Sequence, residues 1–178
     1  MIKILASLIP NKILRRNFRQ FCYTIQIRWE AEYIGKNLYC GKFSTVNRKT
    51  TIKNDVRLNG LHISGNGKVI IGNNSILGFD TLIISDNHNY KGKALPYDNT
   101  FIEKTTIIED FVWIGARAIL LPGAKIGEGA IVQAGAVVHG EIPPLAIAGG
   151  NPAKVFSWRE KDKYYALKKQ YKTNSTKC

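Results

Sequence analysis

From residue 102 onward a large aliphatic residue returns every six positions. Ile102, Ile108, Ile114, Leu120, Ile126, Val132 and Val138 open seven consecutive units. Thr106, Val112, Ala118, Ala124, Ala130, Ala136 and Ile142 hold the fifth places, and most of these are small. A helix needs apolar residues every three or four positions and a half-buried strand every two, so a period of six is neither alone. It describes a short strand plus a turn, stacked coil on coil with each large residue pointing inward. Gly115, Gly127, Gly129 and Gly135 are expected at sharp corners that need positive φ. Pro122-Gly123 reads as a turn with proline at its first corner position.

The period begins upstream, at Ile34, and continues through Cys40, Val46, Ile52 and Leu58. It slips by one residue across 64–68, resumes at Ile71, Leu77 and Ile83, and fails from 86 to 101. About sixteen mostly polar residues therefore leave the solenoid as a loop, and loops of this length in a compact repeat tend to carry function. The chain divides into a helical segment (1–33), a solenoid (34–148) with an extruded loop (86–101), and a C-terminal connection, helix and tail (149–178). In the first segment Ile2, Leu5, Ile9, Ile13, Leu14, Phe18, Phe21 and Ile25 make an apolar stripe, broken near Pro10-Asn11. Near the other end, Tyr164, Tyr165, Leu167 and Lys168 predict a helix on the last coil, followed by a disordered tail from Thr173.

Charge is concentrated at the ends. Residues 1–30 hold six Lys/Arg against one acid and residues 154–178 eight against two, so little of the net +13 belongs to the solenoid. No recognition helix or aromatic-basic platform accompanies it, which argues against nucleic acid as a partner. The apolar run 4–9 is too short for a signal sequence or membrane span. Lys12, Arg15, Arg16 and Arg19 beside the stripe fit either a helix lying on an anionic membrane or a cap over the first coil. Cys22, Cys40 and Cys178 form neither a disulfide framework nor a metal spacing, which favours a reducing, cytoplasmic setting, at the inner face of the membrane if the N-terminal segment binds it. Cys40 opens a repeat unit and is expected in the core.

Several segments carry a family resemblance: Val112-Trp113-Ile114-Gly115-Ala116, Leu121-Pro122-Gly123, Ala134-Gly135-Ala136, Ile142-Pro143-Pro144 and Gly149-Gly150-Asn151-Pro152-Ala153-Lys154-Val155. They resemble the hexapeptide-repeat acyltransferases, in particular the maltose, galactoside and capsular-sugar O-acetyltransferases. The resemblance implies a mainly β protein, a left-handed parallel β-helix with an N-terminal helical segment, one extruded loop and a C-terminal helix. It implies acetyl-coenzyme A as co-substrate, a sugar acceptor, no required metal, and a homotrimer with active sites shared between chains.

The residues support a base at the loop root. His88 is one of only three histidines and stands in Asp86-Asn87-His88 where the loop begins. An alcohol is a poor nucleophile at neutral pH, and imidazole is suited to taking its proton. Its place before the loop matches the catalytic histidine of the resembled enzymes. Asp86 is expected to orient it, to bind acceptor, or simply to start the turn. Trp113, at an outward position, reads as an acceptor wall or an anchor for the loop. By resemblance, Ala116, Ala134, His139, Gly140 and Lys154 bind the coenzyme: small residues line its groove and a lysine meets its nucleotide end. The γ-class carbonic anhydrases share the fold but hold zinc with three histidines, two of them five apart. His62, His88 and His139 contain no such pair, and no metal ligand is assigned. Two other functions remain open to this pattern: N-acetylation of an amino sugar or nucleotide sugar, and a non-catalytic scaffold.

Overall fold

The structure, a computed structural model, describes residues 2–7 and 9–175. Between two helical ends the chain winds as a three-sided parallel β-solenoid. The first face stacks β1 (Tyr33–Ile34), β3 (Thr50–Ile52), β6 (Val69–Ile71), β11 (Thr106–Ile108), β14 (Lys125–Ile126) and β17 (Glu141–Ile142). The second stacks β2 (Tyr39–Lys42), β4 (Arg57–Asn59), β7 (Ile76–Leu77), β12 (Trp113–Ile114), β15 (Ile131–Val132) and β18 (Ala146–Gly149), and is closed by an antiparallel strand, β19 (Lys154–Trp158). The third holds β5 (His62–Ser64), β8 (Leu82–Ile84), β13 (Ile119–Leu120) and β16 (Val137–Val138). Tyr33 lies beside Thr51, Trp113 beside Ile131 and Ile119 beside Val137. These offsets of eighteen residues are three six-residue units, one for each face.

The period sorts side chains as expected. Ile52, Ile71, Ile108 and Ile126 are fully buried behind the first face, Leu58, Leu77, Ile114 and Val132 behind the second, and Ile83, Leu120 and Val138 behind the third. Each such side chain contributes about 1.5–3 kcal/mol relative to exposure. Ala118, Ala124, Ala130 and Ala136 are also fully buried, because the fifth place turns inward where the corner leaves little room. Cys40 lies in this core, and burial pushes its thiol from 9.0 to about 11.

Corners run in the left-handed region, but not at every expected glycine. Gly129 and Gly135 have φ of 68° and 71°, and Phe111, Arg117 and Leu145 adopt the same conformation without being glycine. Gly115 and Gly127 do not. A Cβ on Gly115 would strike the backbone of Ala134, and one on Gly127 the backbone of Pro144. These two glycines permit close stacking of coils rather than a turn.

The break in the repeat is wider than its sequence suggests. Ile102, expected to open a coil unit, instead pairs with Asn87 in an antiparallel ribbon of β9 (Asp86–His88) and β10 (Phe101–Glu103), and the solenoid resumes at β11. The ribbon leaves at the corner between the third and first faces.

At the N-terminus α1 (Ile2–Ser7) and α2 (Lys12–Glu30) are separated where Pro10-Asn11 predicts. The Asn11 side chain accepts from the Ile13 and Leu14 N–H groups, satisfying two donors at the start of α2. Tyr23 and Ile27 bury one side of α2 against the first coil, so the helix does cap the solenoid. Its opposite side is unpartnered: Leu14, Phe21, Ile25 and Trp29 are exposed, Trp29 by 84%. Among the described residues no helix is long and apolar enough to cross a membrane.

At the C-terminus α3 (Lys161–Ser175) includes Thr173, placed in the tail by sequence; residues 176–178 lie outside the described residues. This helix does not cover the last coil. It runs back along the first/second-face corner, where Tyr164 and Tyr171 meet the Phe111 ring edge-on and Lys168 and the Tyr164 hydroxyl both bind Glu128. Tyr165 and Leu167 are left exposed.

The two kinds of glycine give a testable contrast. Gly135→Ala adds a Cβ into open space and strains only φ, at about 1 kcal/mol. Gly115→Ala forces two coils apart and should cost more, toward about 3 kcal/mol. Urea unfolding of both variants checks this, and the reverse order would refute the stacking role of Gly115.

Candidate active site

The ribbon root is built by the corner it leaves. The turn at 64–68 lies at the same corner, one coil earlier. There the Asn66 N–H donates to the Asp86 carboxylate at 2.7 Å, and the Gly67 N–H to the Ser85 hydroxyl, which in turn donates to the Ser64 carbonyl. One coil earlier again, the Asn47 amide donates to the Gly65 and Gly67 carbonyls. Asp86 is buried and occupied with this turn, and the structure shows no hydrogen bond between it and His88. The enlarged turn, two residues longer than its counterpart in the coil before, and the carboxylate therefore form one scaffold beneath the ribbon.

His88 projects from β9 opposite Phe101. Its ring stacks on Tyr97 with centroids 3.8 Å apart and planes 16° from parallel, and Phe101 lies against it at 4.6 Å. Among the described residues neither imidazole nitrogen has a protein hydrogen-bond partner. The ring is thus fixed by aromatic contact while both nitrogens stay open to a ligand. It faces a cleft of about 370 Å3 bounded by Ser64, Asn66, Asp86 and Phe101. Sequence reasoning missed Tyr97 and Phe101 as site residues. The available signal was that aromatics recur in an otherwise polar excursion.

Of the remaining candidates, Ala116, Ala134, His139 and Gly140 fall on two edges of the third face. Ala116 and Ala134 stack on successive coils at its edge with the second face, where the Gly135 N–H donates to the Ala116 carbonyl at 2.8 Å. Phe79 precedes them in this column and Gly150 follows, so the corner narrows to small residues only from Ala116 onward. Exposed Lys154 pairs with Gly149 in the closing strand at the C-terminal end. His139 and Gly140 sit at the other edge, above the ribbon root; the Gly140 carbonyl accepts from Lys125 and the Gly123 turn below abuts Lys104. Trp113 is half-exposed on the second face, away from the corner at which its own ribbon leaves, so it does not anchor that ribbon. Aliphatic side chains of Leu82, Ile84, Ile119, Leu121 and Val137 line the third face between the two edges, each only partly covered. One chain places Ala116, Ala134 and Lys154 along one edge, and Asp86 and His88 on the other edge with His139 and Gly140 two coils further on, and does not close these groups around one ligand. Among the described residues no cluster of three or more His, Cys, Asp or Glu is placed to hold a metal ion.

Coil geometry and sequence period define a class, and comparison with known proteins agrees. The bacterial transferase hexapeptide (six repeats) family model matches residues 105–140 of the chain. It is similar to YvoF of Bacillus subtilis (strain 168), a protein named as an acetyltransferase, at 39% identity over 52% of this chain and 49% of that one. It is 27% identical, over 86% of each chain, to WbbJ of Escherichia coli (strain K12), named for O-acetyl transfer in lipopolysaccharide biosynthesis. The aligned part thus spans about half the length of YvoF. Among solved structures, the hexapeptide-repeat acetyltransferase VCA0836 of Vibrio cholerae, complexed with acetyl-coenzyme A, superposes with a TM-score of 0.62 at 22% identity, covering 90% of this chain and 84% of that one. AntD of Bacillus cereus, an N-acyltransferase in complex with dTDP and coenzyme A, gives 0.63 at 22% identity, over 84% and 96%. Superposition cannot exchange mirror images, so the coils wind in the same sense as in these neighbours.

Proposed function

We propose that the protein transfers the acetyl group of acetyl-coenzyme A to a sugar hydroxyl, on a polysaccharide or lipopolysaccharide precursor, with His88 as general base. The observation that carries this reading is the His88 ring, stacked on Tyr97 with both nitrogens unclaimed among the described residues, at the long break in the solenoid. His88 takes the proton of the acceptor hydroxyl as its oxygen bonds to the thioester carbonyl carbon. Collapse of the tetrahedral adduct breaks the carbon–sulfur bond, and the same imidazolium returns the proton to the leaving thiolate. Backbone N–H groups at a coil corner stabilise the intervening oxyanion. Ala116 and Ala134 leave room for the pantetheine arm, and Lys154 meets the coenzyme's phosphates. The relatives named for acetyl transfer and the acetyl-coenzyme A complex of VCA0836 support the reaction class. Likeness to AntD favours a second reading, N-acetylation of an amino sugar, with the same role for His88; a product resistant to hydroxylamine would select it.

The split of candidate residues over two edges of one face supports a trimer with shared sites. The ribbon carries the means to reach a neighbour: Leu95 at its tip is 95% exposed, flanked by exposed Tyr97. In a cyclic trimer His88 of one chain meets Trp113, Ala116 and Ala134 of the next. The outward apolar side of α2, with Lys12 and Arg15 nearby, supports contact with an anionic membrane surface.

Three outcomes are expected. His88→Ala lowers turnover by about two to four orders of magnitude in a free-thiol assay while the melting temperature holds; turnover within threefold of the parent removes His88 from the mechanism. His88→Ala chains mixed with groove-filled Ala134→Trp chains recover activity, whereas an active monomer by light scattering rules out sharing. The protein co-sediments with anionic but not neutral liposomes, more weakly in high salt, and Phe21→Ser/Trp29→Ser reduces binding; absence of an anionic-lipid preference defeats the membrane contact.

A further inference from the structure

A second cavity, of about 480 Å3, lies between α2 and the corner of the second and third faces in the first three coils, and the acetyl-transfer chemistry leaves it unused. Arg16 and Arg19 stand seven and four residues before Tyr23, so they share the side of α2 that Tyr23 buries. Both therefore point toward the solenoid, while Leu14, Phe21, Ile25 and Trp29 point outward. Lys42 completes a set of three cations, its ammonium 3.2 Å from the centre of the Phe79 ring; Asp80 is the one carboxylate in the lining. Among the described residues neither guanidinium has an ion pair or hydrogen bond with the protein. Three cations against one carboxylate leave two positive charges beside exposed ring surface.

This cavity is tied to His88 by one strand. His62 and Ser64 are outward residues of β5, and His62 lines the cationic cavity while Ser64 lines the His88 cleft. Two strand residues span about 7 Å, close to the length of one sugar ring. Lys154, the candidate for the coenzyme's phosphates, lies at the opposite end of the solenoid, so a separate anion is implied here.

Resting on the acetyltransferase reading, we propose that the acceptor is a diphosphate-linked sugar. Its diphosphate, with two negative charges, sits on Arg16, Arg19 and Lys42, and its sugar crosses β5 toward His88. The ring surface of Phe79 and Phe43 takes the group beyond the diphosphate, a nucleobase or an isoprenoid chain.

Calorimetric titration of the full chain with inorganic pyrophosphate, UDP and farnesyl diphosphate tests this. Pyrophosphate and at least one ester should compete for one site, with affinity falling as salt rises. Arg19→Ala and Lys42→Ala should each weaken binding at least tenfold without changing the melting temperature. Tighter UDP assigns a nucleotide-linked acceptor, and tighter farnesyl diphosphate a lipid-linked one. The subsite is overturned if no probe binds, if the triple variant Arg16→Ala/Arg19→Ala/Lys42→Ala binds like the parent, or if coenzyme A displaces UDP from the same residues. It is also overturned if a phosphate-free sugar is acetylated with a KM unchanged in Arg19→Ala, which leaves the transferase reading intact. Diphosphate binding that depends on these cations, without thiol release to any acceptor, sustains the subsite and rejects the transferase instead.

Discussion

Everything in this molecule depends on one coil lying in register on the next. The inter-coil hydrogen bonds, such as Ile119 N–H to the Ala136 carbonyl at 2.8 Å and Trp113 N–H to the Ala130 carbonyl at 3.0 Å, require each coil to use the same number of residues per face. Glycines such as Gly115 let the coils close to the distance those bonds demand. Extra residues cannot be absorbed within a face without moving inward side chains out. They can leave only at a corner. The two residues by which 62–69 exceeds 45–50 and the long excursion that begins at Asp86 both leave at the same corner, on adjacent coils. Asp86 then stitches the two by accepting from Asn66. The candidate site is built where the repeat's constraint is relaxed.

That constraint explains what could be read in advance. A strict period announces itself, so the coils, the inward column from Ile52 to Val138 and the existence of an excursion were legible. The place of His88 at the root of the excursion was legible because it sits where the period stops. Ile102 was misplaced because an aliphatic residue in phase with the repeat looks identical whether it faces the core or lies in a ribbon. Asp86 was ambiguous because its partner is twenty residues away, and only the corner alignment brings Asn66 to it. Tyr97 has no periodic context at all, so its stacking on His88 depends on how the ribbon folds back. The path of α3 was hidden for a similar reason: it follows Phe111 and Glu128 on the side of the solenoid, and its own amphipathic pattern does not say which surface it will choose.

The N-terminal helix shows how composition misleads when charge is counted rather than located. Six basic residues in the first thirty look like a solvated or membrane-facing surface. In the fold they divide by role. Arg15 binds the Ile9 carbonyl and fixes the turn between α1 and α2. Arg16 and Arg19 face the solenoid across the cationic cavity, and the outer side of α2 is left apolar. A capping helix ordinarily turns its apolar side inward along its whole length. Here only the half carrying Tyr23 and Ile27 does so, and the preceding turns keep two cations unpaired between helix and coil. Such an arrangement leaves positive charge facing a cavity that an anion can enter.

The way His88 is held also limits the chemistry assigned to it. A histidine paired to a carboxylate has one nitrogen committed and one free. Here Asp86 is committed to the backbone of a neighbouring turn, and the imidazole is held through its faces by Tyr97 and Phe101. Its plane is fixed but neither nitrogen is spoken for. One nitrogen can accept the acceptor's proton and give it to the leaving thiolate without rotation of the ring, provided both sulfur and oxygen lie near the plane that the stack defines. The other must then find its hydrogen-bond partner in the substrate or in a neighbouring chain. On this reading the solenoid and its ribbon orient the base, and a second molecule completes its hydrogen bonding.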